Sequence, residues 1–247
     1  MTRAIYRITG TDRETYLQGL VTNDVAGLSK GLVYTALLTP QGKYLADFFL
    51  VPEAEAILLD IDSAIAPATM QRLAMYRLRS DVEISETELH LQRGLGTPPE
   101  DGFADPRNPA LGWRAYRAAP AAPDDTDWAA LRVAHGIPET GIELTPDTFI
   151  LEAGFERLHG VDFRKGCYVG QEVTARMKHK TELRKGLGRI HLEAPVAPGT
   201  ELTAGGKAAG TVHTVSGNHA IAYLRFDRAA AGLMAGDVAA NWEQEAG

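Results

Sequence analysis

The sequence is poor in the residues that hold metals and form disulfides. It has one cysteine in 247 residues, which excludes an intramolecular disulfide framework and fits a reducing compartment. Its seven histidines show no His-x-x-x-His spacing, and no local Ser/His/Asp signature is present. The sequence therefore predicts no stably bound metal and no hydrolase of the serine type.

Long apolar runs are also missing. No run approaches the roughly 20 residues that a helix needs to cross a bilayer, and residues 1–6 have no signal-peptide core. A net charge of -7 and a pI near 5.5 argue against a protein that coats nucleic acid non-specifically. From these absences we expect a cytoplasmic protein with no membrane partner.

The single cysteine lies in the most distinctive stretch of the chain. Residues 162–185 carry seven Lys or Arg against three Asp or Glu, a local charge of +4. Nearby cations favour a thiolate, so Lys165 and Arg176 are candidates for activating the thiol of Cys167, while Glu172 opposes this effect. The alternatives are that the cysteine is a small buried hydrophobe and that the two cations form a solvated surface pair.

Glycines on both sides of the cysteine let the backbone take a positive φ or approach a neighbour closely. A helix is predicted to begin directly after Gly170, which would direct backbone N–H groups toward the sulfur. Gln171 is a candidate for orienting the loop by hydrogen bonds. The whole candidate motif comprises Lys165, Gly166, Cys167, Tyr168, Gly170, Gln171, Glu172 and Arg176.

Periodicity predicts a mixed α+β body followed by short strands. A hairpin is predicted from Gly31 to Val51 with its turn at residues 40–43, and a helix at 64–78 with Met70, Leu73, Ala74 and Leu78 on one stripe. Asp127 and Gly136 are predicted to cap a helix through His135. We expect a body at 1–185, divided into 1–95 and 96–185, and a small β-barrel at 186–247.

The string Lys-Gly-Cys-Tyr-x-Gly-Gln-Glu resembles the signature of the YgfZ family, which comprises folate-binding proteins similar to the glycine-cleavage T-protein. The resemblance extends to residues 16–25, 38–43, 76–82, 132–139 and 198–202. It implies a T-protein-like ring of ferredoxin-like α/β layers with a C-terminal β-barrel. It also implies tetrahydrofolate or another folate as ligand. By motif position, the candidate folate contacts are Asn23, Tyr34, Asp47 and Arg77; such residues, taken one at a time, are more often structural.

Two departures from the T-protein pattern bear on activity. T-proteins usually carry a paired Asp-Asp at the end of the hairpin, where this chain has Ala46-Asp47. They also carry a Glu in an Arg-x-Glu-Ala-Gly string, where this chain has Arg132-Val133-Ala134-His135-Gly136. Both departures count against aminomethyl transfer, and neither excludes folate binding.

Three functions follow as hypotheses. The family resemblance favours a folate-binding accessory protein in iron–sulfur cluster assembly or insertion, with cluster carriers or client proteins as partners and an indirect effect on tRNA modification. Cys167 would make only a transient iron–sulfur contact, because one cysteine cannot hold a cluster unaided. The alternatives are a tetrahydrofolate-dependent aminomethyl transferase and an RNA-binding factor whose basic 164–185 segment contacts tRNA directly.

Overall fold

A computed structural model describes residues 2–180, 183–230 and 232–244. The chain divides into two compact units. The first contains residues 1–124 and 155–175, and the second contains residues 125–154 and 176–247. Each unit is built around a hydrophobic core of its own.

The first unit is centred on a five-stranded antiparallel sheet. Its strands are β1 (Arg3–Thr9), β2 (Val33–Leu38), β3 (Tyr44–Glu53), β4 (Ala56–Asp62) and β5 (Glu83–Glu86), in the order β2-β3-β4-β1-β5. The predicted hairpin is confirmed, since β2 pairs with β3 across a short turn in which Thr39 N donates to Lys43 O at 2.8 Å. Gly42, at φ +75°, supplies the left-handed residue of this turn.

One face of this sheet is apolar and is covered by α1 (Arg13–Gln18), α2 (Ala66–Tyr76) and a 3₁₀ helix (Val25–Lys30). The phenol of Tyr16 on α1 donates to Leu73 O on α2 at 2.5 Å, which joins the two helices. The predicted stripe of α2 is only partly correct, because Leu73 is fully buried but Ala74 is exposed. Leu78 lies beyond the helix end and is also exposed.

The first unit also contains a three-stranded antiparallel sheet in the order β6-β8-β7, formed by β6 (His90–Gly94), β7 (Phe103–Ala104) and β8 (Trp113–Arg117). The indole of Trp113 lies directly against its cross-strand partner Gly94, where a side-chain carbon would come within 2.6 Å of the ring. This contact leaves room for glycine only.

The second unit combines α3 (Trp128–His135) with a closed six-stranded barrel in the order β10-β11-β12-β9-β14-β13. The barrel elements are β9 (Lys185–Leu192), β10 (Glu201–Ala204), β11 (Lys207–Ser216), β12 (His219–Arg225), a short α5 (Phe226–Ala229), β13 (Leu233–Ala235) and β14 (Val238–Glu243). The rings of Phe226 and Trp242 stack at 4.9 Å. The barrel predicted from short, turn-rich strands is confirmed.

The predicted caps of α3 are confirmed as well. Asp127 accepts a hydrogen bond from Ala130 N at 2.9 Å, and Gly136 ends the helix in the left-handed conformation. The helix packs beside β11 and β12 in the second unit. Residues 125–154 therefore group with the barrel, whereas the sequence assigns them to the body. Within the described ranges, no helix has the length and apolar character required to span a membrane.

Candidate functional site

Cys167 lies in an irregular segment that leads into α4 (Gln171–Lys180), and its side chain is exposed. The side chains of Lys165 and Tyr168, on either side of it, are buried. The alternative that the cysteine is a buried small hydrophobe is therefore wrong. Lys165 and Tyr168 are thus held in the interior, while the sulfur of Cys167 is open to solvent.

Lys165 binds the backbone of a distant turn. Its side-chain Nζ donates to Gln18 O at 2.8 Å, Val21 O at 2.5 Å and Asn23 O at 3.1 Å, which uses all three ammonium protons. Burial lowers the pKa of Lys165 to about 8, against the opposing effect of Asp24 and Asp162. The alternative of a solvated surface cation is wrong for this residue, because only 8% of it is exposed.

The turn around the cysteine is fixed on its other side by close backbone packing. Gly170 has φ +85°, and a side-chain carbon there would lie 2.6 Å from Thr39 O in the hairpin turn. A side-chain carbon added to Gly42 of that turn would likewise lie 2.8 Å from the side chain of Val173 on α4. Gly166 has nothing within 4 Å of such a carbon and no positive φ, so only the second of the two flanking glycines is required by the geometry.

The predicted helix start after Gly170 is confirmed. Gln171 opens α4, its N–H donating to Tyr168 O at 3.3 Å, and Glu172 lies in the first turn, where a carboxylate is favoured by the helix dipole. Arg176 is exposed on the same helix. Among the residues that the structure describes, neither Glu172 nor Arg176 forms an ion pair.

Three of the four predicted folate residues lie together in the first unit. Tyr34 is fully buried, its hydroxyl donating to Asp47 at 3.0 Å, and Asp47 also accepts from Tyr44 at 2.6 Å. Burial, together with the neighbouring carboxylate of Asp47, raises the pKa of Tyr34 well above its usual value. Asn23 reaches the same place, since its side-chain amide donates to Tyr34 O at 2.8 Å and to His159 O at 2.7 Å.

Arg77 is not part of this group. It caps the C-terminal end of α2, is exposed, and donates a long hydrogen bond of 3.4 Å to Val82 O. Within the described part of the chain, no hydrogen bond or ion pair joins it to Asn23, Tyr34 or Asp47. The hydrogen bonds that join Asn23, Tyr34 and Asp47 thus do not extend to Arg77.

Several charged residues that no sequence motif marks surround Tyr34 and Phe49. The guanidinium of Arg114 lies 4.0 Å from the Phe49 ring centroid, and that of Arg107 lies 4.8 Å from it. Arg107 also pairs with Asp105 at 2.8 Å, and its side chain is 14% exposed. We call this group the aromatic–arginine face; its members are Tyr34, Asp47, Phe49, Asp60, Asp105, Arg107 and Arg114.

Asp60 is the charged centre of this face. It is fully buried and accepts hydrogen bonds from Arg114 at 2.5 Å, Arg3 at 2.6 Å and Tyr116 at 2.9 Å. Burial alone would raise the pKa of Asp60, but the charges of the two arginines outweigh it and bring the pKa to about 2. In the sequence, Asp60 is marked by being a charged residue within the otherwise apolar strand of residues 56–61.

The family description "CAF17, C-terminal beta-barrel domain" matches residues 184–246, which contain the barrel strands. A Mus musculus protein named iron–sulfur cluster assembly factor IBA57, mitochondrial, is 33% identical over 270 residues, covering 90% of this chain and 75% of the mouse protein. The Homo sapiens protein of the same name is 31% identical over 267 residues, with the same coverage of 90% and 75%.

A Mycosarcoma maydis homolog of that name is 33% identical over 216 residues, covering 74% of this chain and 54% of its own length, so the chain spans about half of this relative. The predicted cytoplasmic localisation is contradicted here, because the names of these relatives place them in mitochondria.

The fold is that of a T-protein. The crystal structure of glycine cleavage system aminomethyltransferase T from Bartonella henselae superposes with a TM-score of 0.78, over 96% of this chain and 81% of that one, at 16% sequence identity. The predicted T-protein-like α+β fold is thereby confirmed. At this identity the likeness concerns architecture alone.

Proposed function

Because this chain belongs to the IBA57 family of iron–sulfur cluster assembly factors, we propose that it assists the assembly of iron–sulfur clusters into other proteins through the thiol of Cys167. The family lies in the superfamily that also includes the YgfZ proteins, in agreement with the motif at residues 165–172. The names of the relatives describe assembly factors, which supports an accessory role over an enzymatic one.

The observation that carries this proposal is the placement of the sulfur. Cys167 is exposed, yet the backbone on one side is held by Lys165 and on the other by Gly170. An exposed thiol on a fixed loop can meet a large partner without reorganising first, which lowers the entropy cost of contact. A thiolate is also the ligand that iron–sulfur clusters prefer.

The cluster is cargo in this proposal. Iron–sulfur clusters are normally held by four protein ligands, mostly cysteines, and this chain supplies one. The thiol loses its proton as it binds iron, and the remaining ligands come from a second protein, a second copy of the chain or a small thiol. The contact is therefore a transient step in handover, and any effect on tRNA modification follows indirectly from the enzymes that receive clusters.

Replacement of the sulfur tests the proposal. In cells that lack the native protein, Cys167→Ala is expected to reduce the activity of client iron–sulfur enzymes to the level of the deletion. Cys167→Ser should do the same, because an alcohol is a poor ligand for iron–sulfur clusters. Met234→Ala, at an exposed residue of β13, is the matched control. Normal client activity with Cys167→Ala would show that the thiol is not the working group.

Folate is the small molecule that we propose for the aromatic–arginine face, on the basis of the family resemblance. The face combines aromatic rings, guanidinium groups and carboxylates, which suit a flat heterocycle with an anionic tail. Asn23 and Tyr34 do not fit direct contact as they stand, because their polar groups are already paired and Tyr34 is fully buried. Arg107 is the better candidate for contact, because its side chain is 14% exposed although its Nε and Nη2 pair with Asp105.

Calorimetric titration with tetrahydrofolate tests this site. We expect Arg107→Ala to weaken binding at least about tenfold, a loss of about 1.4 kcal/mol that is typical of a charged hydrogen bond. Arg77→Ala, at an exposed arginine outside the face, should bind as the native protein does. Absence of heat with the native protein would discard folate, and equal affinity of both variants would discard this location.

A further inference from the structure

The turn that ends α2 holds apolar side chains in solvent. Leu78 is 90% exposed and Met75 is 71% exposed, whereas the other exposed large hydrophobic residues of the described chain range from 40% to 49%. These two residues sit three positions apart, on either side of the helix end at Tyr76. Single exposed apolar residues are ordinary, whereas contiguous exposed apolar surface marks an interaction site.

The backbone at Leu78 is strained. Its φ is +41°, a conformation in which glycine or asparagine is usual and leucine is rare. The surrounding contacts hold it there, since Ser80 N donates to Arg77 O at 2.8 Å and Asp81 N donates to Asp12 Oδ2 at 2.8 Å. Folding alone would favour glycine at this position. A fixed leucine therefore points to a use for its side chain.

Unpaired positive charge flanks the leucine. Arg77 and Arg79 are both exposed, and neither forms an ion pair with any residue that the structure describes. The nearest acid in sequence, Asp81, accepts hydrogen bonds from Thr11 instead. This local positive charge stands out in a chain with a net charge of -7. We call residues 75–79 the leucine turn.

We propose that the leucine turn docks the iron–sulfur protein that meets Cys167, with Leu78 in an apolar pocket of that partner and the two arginines against its carboxylates. The inference rests on the proposed function, and it takes a second iron–sulfur protein as the source of the cluster's remaining ligands. Met and Arg are enriched at protein interfaces, and an arginine that pairs on docking contributes strongly to binding. Two apolar side chains offer too little surface for a membrane anchor.

The substitution Leu78→Gly separates docking from folding. It removes the apolar side chain and places the residue that favours a positive φ, so the thermal midpoint of the full-length protein should stay equal or rise. In cells that lack the native protein, client iron–sulfur enzyme activity should fall at least fivefold. Ile142→Gly, at an exposed apolar residue of the second unit, is the matched control and should retain full activity. The pair Arg77→Glu, Arg79→Glu should lose activity as Leu78→Gly does.

The identity of the partner is tested by a photo-crosslinking amino acid placed at position 78 and, as a control, at position 142. A covalent product from position 78, identified by mass spectrometry as an iron–sulfur scaffold, carrier or client, supports the proposal. Sedimentation with phosphatidylserine vesicles that depends on Leu78 would overturn it in favour of a lipid surface.

Cys167→Ala serves as the reference for reading these results. Full client activity with Leu78→Gly and loss with Cys167→Ala would reject docking at the leucine turn and leave the proposed function standing. Full activity with both variants would reject the two together.

Discussion

The contacts of Lys165 could not be predicted from the residues next to it in the sequence. Its position near Cys167 suggests a cation that activates the thiol. The structure instead places its ammonium group among three backbone carbonyls that lie 142 to 147 positions away in sequence. Contacts at that separation leave no local pattern, so residue types alone could identify the motif but not this anchor.

The two interpretations of Lys165 predict different results for Lys165→Met. If the lysine anchors the loop, the variant leaves three carbonyls without their donor, and the free energy of unfolding should fall by about 1–3 kcal/mol. Chemical denaturation of the purified protein measures this change. Lys207→Met, at an exposed lysine of β11, is the control and should change stability by less than about 0.5 kcal/mol. Equal stability of both variants would favour a purely chemical role.

The charged contacts of the aromatic–arginine face also join residues that are distant in sequence, so local patterns do not predict them. Arg3 and Arg114 lie 57 and 54 positions from Asp60, and each arginine looks like an ordinary residue of its own strand. Only the pairing of β1 with β4 and the placement of β8 bring the charges together. The sequence could predict Tyr34 and Asp47 through their motif positions, and it could not predict the guanidinium groups that lie over the rings.

At the level of elements, α4 depends on the hairpin turn between β2 and β3. The sequence predicts both elements correctly, because Gly170 marks a helix start and residues 40–43 form a recognisable turn. Their mutual contact was not predictable, since it depends on two glycines, distant in sequence, that leave no room for a side chain of their own. Thr39 O and Gly42 lie against Gly170 and Val173. The hairpin turn therefore contacts both the start of α4 and the end of the segment that contains Cys167.

This contact predicts different effects for the two glycines of the motif. Gly170→Ala introduces a carbon 2.6 Å from Thr39 O at a positive φ, and should lower the free energy of unfolding by about 1–3 kcal/mol. Gly166→Ala meets open space at an ordinary φ and should change stability by less than about 0.5 kcal/mol. Urea denaturation of the two variants compares them directly. Similar losses in both would mean that the hairpin does not support the loop.

At the level of the whole molecule, the sequence predicted the barrel well and the extent of its unit poorly. Short strands with glycine-rich turns are a local signal, and Gly205 and Gly206 do join β10 to β11. The assignment of residues 125–154 depends on long-range contacts such as those of Arg132, which bonds Glu143 at 3.2 Å and Thr214 of β11 at 3.1 Å. The segment at residues 118–125, rich in alanine and proline, gives no sign of which unit follows it.

The distribution of tryptophan gives the two units separate optical reporters. Trp113 lies in the first unit against Gly94, whereas Trp128 and Trp242 lie in the second. Trp242 stacks on Phe226, so its emission is sensitive to the closure of the barrel. Retaining one indole at a time, with phenylalanine at the other two positions, turns the fluorescence of the intact chain into a signal from a chosen unit, without any attached dye.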